Sequence, residues 1–169
     1  MITRAERARE GPNKPVYILG NASETWHRQV SSMPDLTVTS ASRSGPRALA
    51  MAGMSIADVD LACLYDAFTI NVILFLEDLG FCKKGEGGSF VENGGIAPGG
   101  RLAVNTNGGG LSFGHPGMYG TFLVLEAVEQ LRGTAGQRQQ QDVKVALVHG
   151  NGSTLSSQST AILGTEAAL

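Results

Sequence analysis

Only two cysteines, Cys63 and Cys82, occur among the 169 residues. Two cannot build a disulfide framework, and neither has a second ligand at useful spacing, so a cysteine-based metal cluster is not expected. His27, His115 and His149 are too scattered to argue for a metal. Charge of one sign is also missing. Thirteen basic residues against fifteen acidic give a net charge of −2, which leaves no positive field for nucleic acid or anionic lipid. No apolar run reaches bilayer-spanning length. The first eleven residues hold Arg4, Glu6, Arg7, Arg9 and Glu10 and no apolar centre, so a secretory signal and a membrane partner are not expected and a cytoplasmic location is. No G-x-x-x-x-G-K-[ST] string occurs, and no G-x-G-x-x-G follows a strand, which sets aside the common phosphate-binding loops.

What is abundant is glycine: 23 residues, about twice the usual share. Fourteen of the 23 fall between Gly80 and Gly120, without a collagen period. Such crowding suggests backbone passing close to something. With 42% apolar and 17% charged residues, the chain has the composition of a globular domain with a sizeable core.

The pattern along the chain predicts an α/β order. Val16–Gly20 and Val59–Leu64 read as buried strands. Gly45–Ala52 reads as a helix with Pro46 in its first turn, and Ser55-x-x-Asp58 as a capped turn. Phe68–Leu79 has helical spacing and ends on Gly80. Ser23 to Thr39 looks irregular, and Gly85 to Gly100 looks like a loop or two very short elements. Leu102–Val104 is a short strand candidate, followed by a glycine loop from Asn105 to Gly114. A long helix is expected from Pro116 to Arg132, with Met118, Phe122, Leu125, Val128 and Leu131 inward and Glu126, Glu129 and Gln130 outward. Val143–Val148 and Gln158–Leu163 are close enough to pair antiparallel. Alternating elements of this kind imply an α/β fold, a mixed five-stranded sheet layered with helices, in a single domain over residues 1–169.

Three segments carry candidate chemistry. In Asn107-Gly-Gly-Gly-Leu-Ser-Phe-Gly-His115-Pro-Gly-Met-Tyr119-Gly, a helix starting at Pro116 would aim unpaired N–H groups into the loop and keep His115 neutral, able to act as base or donor. The alternative is a turn with a capping histidine. Tyr65-Asp66-Ala67-Phe68 lies at a strand's carboxyl end, where open α/β sheets bind ligands; Asp66 also suits a helix N-cap. His149-Gly-Asn-Gly152 lies between the last strands and also fits a tight turn. Cys82 precedes two lysines, a setting that can lower a thiol's pKa, but it reads first as an exposed, non-catalytic thiol. Cys63 lies inside an apolar strand and reads as inert.

Asp60-Leu-Ala-Cys-Leu-Tyr-Asp-Ala-Phe68, Val104-Asn-Thr-Asn-Gly-Gly-Gly with Gly114-His115-Pro116, and Val145 to Gly152 together resemble the C-terminal half of the thiolase superfamily, from about Thr3 to Leu163. The N-x-x-G-G…G-H-P string is the most specific part. Gly80-Phe-Cys-Lys-Lys-Gly-Glu-Gly-Gly is similar to the lipid-transfer-protein-like, sterol-carrier-type branch. The resemblance implies a thiolase-like half and Claisen chemistry on an acyl-CoA, with coenzyme A thioester as substrate and no tightly bound cofactor. It implies that His115 activates a nucleophilic cysteine and helps bind a thioester oxygen. Tyr65 stands where thiolases carry Asn or His, and His149 about where they carry the second cysteine. In the aldolase relatives tyrosines do acid/base work, which implies catalytic roles for Tyr65 and Tyr119. Phe68, Gly114 and Met118 are the implied substrate-binding residues.

The resemblance begins almost at Met1, so the half that carries the family's nucleophile is expected to be absent, and neither Cys63 nor Cys82 matches its setting. Three functions compete: a thiolase-type acyltransferase half; a retro-aldolase of CoA-linked steroid side chains working with an OB-fold subunit; and a non-catalytic assembly or binding half. A lone half must cover apolar faces with an N-terminal half, another subunit or a second copy, so a homo-oligomer is expected.

Overall fold

The computed structural model describes residues 2–169. In chain order the elements are α1 (Ala5–Ala8), β1 (Tyr17–Thr25), α2 (Ala41–Ala52), β2 (Leu61–Leu64), α3 (Thr69–Leu79), α4 (Gly87–Val91), β3 (Ala103–Val104), α5 (Gly109–Phe113), α6 (Gly120–Arg132), β4 (Val145–Gly152) and β5 (Ser157–Gly164). The strands form one sheet in the order β1-β5-β4-β2-β3. β2 runs parallel to β3 and β4, and β5 runs antiparallel to β4 and β1. This is the mixed five-stranded sheet read from the sequence.

Leu61-Ala-Cys-Leu64 is buried throughout, and so is Val145–Val148. A strand covered on both faces needs apolar residues at every position, which is why these runs do not alternate. α2 covers β1 and β5, while α6 covers β4 and β2. Gly20 lets α2 approach closely, since a Cβ there would stand 2.2 Å from the Ala48 carbonyl oxygen.

Several boundaries differ from the sequence expectation. β1 continues to Thr25, because its polar end pairs with another polar strand and Ser23 Oγ donates to Ser159 Oγ at 3.0 Å. α2 begins at Ala41, so Pro46 lies inside it and leaves the Ser42 carbonyl without its helical donor. Residues 87–94 form the two very short elements.

The largest correction concerns α6. It starts at Gly120, not Pro116, and its buried face is Leu123, Glu126, Ala127, Gln130 and Leu131. Met118, Phe122 and Leu125 point outward, 87%, 45% and 53% exposed. Glu126 tolerates burial because its carboxylate accepts from Thr106 Oγ1 (2.7 Å), Gln130 Nε2 (3.0 Å) and Arg138 Nη2 (2.9 Å). Burial raises its pKa, but these bonds outweigh that and hold it below the usual glutamate value.

Candidate active site

β2 and β4 are parallel neighbours, so their carboxyl ends open side by side. In strands successive side chains alternate between faces. Leu64 pairs with His149, and the His149 ring lies against Phe75 of α3, with centroids 4.5 Å apart. Tyr65, next along, projects to the α6 side, where its ring meets Tyr119 edge-on at 5.2 Å and 89°. The Tyr65 N–H donates to the His149 carbonyl at 3.0 Å, which fixes the height at which the phenol leaves the sheet.

Two polar side chains lock the glycine loop to this strand end. Asn105, just past β3, accepts from the Leu64 N–H through Oδ1 (2.7 Å) and donates through Nδ2 to the Leu64 carbonyl (2.9 Å). Its amide thereby continues the short parallel ladder. Asp66, 4% exposed, accepts from the N–H of Gly110 (2.7 Å) and of Leu111 (3.2 Å). Those are early amides of α5, so Asp66 caps a helix across the loop and not α3, whose N-cap position is Phe68. Gly109 makes the contact possible: its φ is +70°, and a Cβ there would lie 2.1 Å from Asp66 Oδ2.

Gly114 caps the end of α5, and the next residue, His115, reaches back to the strand end. Its Nε2 and the Tyr65 hydroxyl are hydrogen-bonded at 2.9 Å. The phenol donates when Nε2 is bare and accepts when Nε2 carries the proton. The expected helix end beside His115 is not there, because α6 begins five residues later. What holds the imidazole instead is Tyr65.

Burial, and then the negative charge of Asp66, push the Tyr65 phenol above its ordinary pKa. Tyr119 is raised further for the same two reasons; it is 1% exposed, and its hydroxyl is buried without a partner. Tyr65, Asp66, His115, Tyr119 and Gly114 line a cavity of about 240 Å³. It adjoins a groove of about 690 Å³ lined by Met118, Gly150, Asn151 and the serines of β1 and β5.

The structure thus brings together four residues read from the sequence: Tyr65, His115, Tyr119 and Gly114. Met118 lines the neighbouring groove, and Phe68 lines neither space but stands 67% exposed at the start of α3. His149 is turned away from both. It is fully buried on the other face of the sheet, with Nδ1 bonded to Thr160 Oγ1 at 2.9 Å and Nε2 to Gln158 Oε1 at 3.2 Å. Strand alternation sends it there and gives the groove Gly150. Burial drives its pKa down to about 4, against a smaller upward pull from Gln158, so the ring is neutral near pH 7.

Cys63 is buried in β2, with its thiol pushed up by desolvation. Cys82 lines neither space, and its thiol is raised, not lowered, by desolvation and by Glu77 and Glu86, which outweigh Lys84 and Arg101. Sequence reading missed Asn105 as a strand clamp. The signal available was its place directly after a strand and before four residues rich in glycine. No group of three or more His, Cys, Asp or Glu residues suited to a metal occurs among the described residues, and none of their helices is long and apolar enough to cross a membrane.

Residues 22–165 match the family model described as thiolase C-terminal domain-like. An acetyl-CoA acetyltransferase of Methanothermobacter thermautotrophicus is 39% identical over 156 residues, which is 91% of this chain and 41% of that protein. A 17-hydroxy-3-oxo-4-pregnene-20-carboxyl-CoA lyase of Mycobacterium tuberculosis is 36% identical over 145 residues, covering 80% of this chain and 36% of that one. Among solved structures, the Ltp2-ChsH2(DUF35) aldolase superposes with a TM-score of 0.85 at 35% identity, covering 96% of this chain and 42% of its own. The chain spans about two fifths of the length of these relatives. The sheet order, the Gly-His-Pro turn beside the β2 end and the match over residues 22–165 agree: the chain belongs to the thiolase C-terminal domain-like family.

Proposed function

We propose that this chain supplies the acid/base part of a thiolase-type site that makes or breaks a carbon–carbon bond in an acyl-CoA thioester. One observation carries the reading: the 2.9 Å hydrogen bond between the Tyr65 hydroxyl and His115 Nε2 in a cavity at the carboxyl end of a parallel strand. A tyrosine with a raised pKa stays a neutral phenol, which alone neither gives up its proton readily nor takes another. Paired with an imidazole it can pass its proton on while taking another.

Two reactions fit the couple. In a Claisen cleavage a thiolate from outside this chain would attack a β-keto thioester while His115 steadies the thioester oxygen. In a retro-aldol cleavage the β-hydroxyl proton moves to the Tyr65 oxygen as the Tyr65 proton passes to His115. The O–H electron pair becomes the new C=O, the Cα–Cβ bond breaks, and its electrons form the thioester enolate, which a proton then quenches at Cα. The retro-aldol reading has the stronger support, because the cavity holds a Tyr–His couple and, among the described residues, no cysteine. The similarity to a solved aldolase points the same way.

We further propose that the working enzyme is completed by a second unit, an N-terminal thiolase half or an OB-fold subunit, since the groove is open and neither cysteine among the described residues is activated. The test combines the chain with such a unit and follows release of the carbonyl product from a 3-hydroxyacyl-CoA, and thiolysis of a 3-ketoacyl-CoA. His115→Ala and Tyr65→Phe should each lower turnover by about 10²–10⁴-fold, the usual worth of a positioned acid or base. Full turnover in both variants removes the reading and leaves a binding or assembly role.

A further inference from the structure

We propose that Asp66 is the positioning residue of the Tyr65–His115 couple. This rests on reading that couple as the reacting pair. Asp66 follows Tyr65 directly, so its carboxylate is fixed by the same strand end that fixes the phenol. Through the Gly110 and Leu111 amides it grips α5, and α5 delivers His115 directly after its Gly114 cap. One buried side chain thus holds both partners of the 2.9 Å bond, one through its own backbone and the other through five residues of turn.

The approach is specific to this pairing. A Cβ on Gly109 would stand 2.1 Å from Oδ2 and one on Gly110 3.1 Å from Oδ1, so the loop backbone comes as near as it can. Asp66 takes part in none of the ion pairs among the described residues. Its charge rests on backbone amides and acts on the phenols beside it, adding to burial in raising Tyr65 and Tyr119. A neutral isostere should therefore change two things together: the placement of His115 and the titration of Tyr65. A residue needed only for folding would shift neither in a folded variant.

Isotope-labelled chain, free of substrate, tests this by nuclear magnetic resonance. In the unaltered protein the Gly110 and Leu111 amides should be protected from hydrogen exchange. Asp66→Asn should lower that protection at least tenfold, move the His115 ring nitrogens toward the values of a free histidine, and bring the Tyr65 titration midpoint down. Gly109→Ala, which pushes the carboxylate off but keeps its charge, should disturb His115 equally and Tyr65 titration less. A folded Asp66→Asn with His115 and Tyr65 signals unchanged overturns the proposal. So do freely exchanging Gly110 and Leu111 amides in the unaltered protein, a result that needs no variant to fold. Unchanged turnover in His115→Ala would remove the catalytic reading while leaving the hold of Asp66, measured without substrate, in place.

Discussion

The side-chain amide of Asn105 and the backbone of Leu64 bond twice, at 2.7 and 2.9 Å, as two strand residues would. β3 contributes only Ala103 and Val104 to the ladder, so Asn105 supplies the pairing that the strand itself lacks. Asn105 has φ +49°, a conformation asparagine accepts more readily than most residues. Asn105→Ala leaves the Leu64 N–H and carbonyl without these partners beneath the cavity and should cost about 2 kcal/mol. Asn105→Asp keeps the acceptor, loses the donor and sets a carboxylate oxygen against the Leu64 carbonyl, so it should cost as much or more. Urea unfolding of both variants reads this, and a loss under 0.5 kcal/mol would contradict the clamp.

His149 sets a pH dependence of stability. Its folded pKa, about 4, lies below the ordinary histidine value of 6.5. Between those values the unfolded chain takes up a proton that the folded ring refuses, so unfolding becomes easier as pH falls. The contribution is complete above pH 6.5 and is lost progressively down to about pH 4; a gap of that size corresponds to roughly 3 kcal/mol. His149→Gln removes the titrating group, so the difference in unfolding free energy between the two proteins should change by most of that amount, about 2.5 kcal/mol, from pH 7 to pH 4.5. Parallel curves across this window would refute the assignment.

How much of this was legible in the sequence depends on where each determinant lies. Leu61–Leu64 and Val145–Val148 announce themselves, because burial on both faces demands unbroken apolar runs. The Gly-His-Pro turn is legible as a local string. Other features depend on partners far along the chain. Asp66 looks like a cap for the helix that follows it, and its real partners lie 44 and 45 residues on. The second half of β1 is polar and becomes a strand only through Ser157 and Ser159 opposite. The face shown by α6 is hidden for the same reason: Glu126 and Gln130 look like a wet side until Thr106 and Arg138 are brought to them. His149 reads as a strand-end acid/base by its place in the sequence; register with β2 decides that its ring faces α3.

The Glu126 cluster yields a prediction of its own. Glu126 is 3% exposed, and Arg138 is its cationic partner at 2.9 Å, with the Arg138 side chain 43% exposed. Arg138→Met removes the cation and leaves the carboxylate with Thr106 and Gln130 only. Breaking a buried pair from one side is costly, and the two remaining donors soften it, so about 2–3 kcal/mol should be lost at pH 7. Because Glu126 is held below the ordinary glutamate pKa, its stabilising share is present above the unfolded value and fades as pH falls through the folded one. The Arg138→Met deficit should therefore shrink on acidification. A deficit independent of pH would place the effect in packing of the arginine stem.

Phe122 and Leu125 raise a different question, because they face outward on the helix that borders the cavity, 45% and 53% exposed. Leu111 and Phe113 on α5 are also open, at 56% and 66%. Exposed apolar side chains on α5 and α6 are the kind of surface that an assembly would cover. Neither Phe122 nor Leu125 belongs to the buried face of α6, so Phe122→Ser with Leu125→Ser should leave the protein folded, at a cost of about 1–2 kcal/mol in urea unfolding, part of it from the lost stacking of Phe122 on Tyr119. The same pair should weaken association, whether with a second copy or with a completing unit, by at least tenfold, or about 1.4 kcal/mol. Light scattering over a concentration series, alone and with the completing unit, measures it. If the unaltered chain stays monomeric at high concentration and binds that unit as tightly after both substitutions, this face is not where the assembly forms.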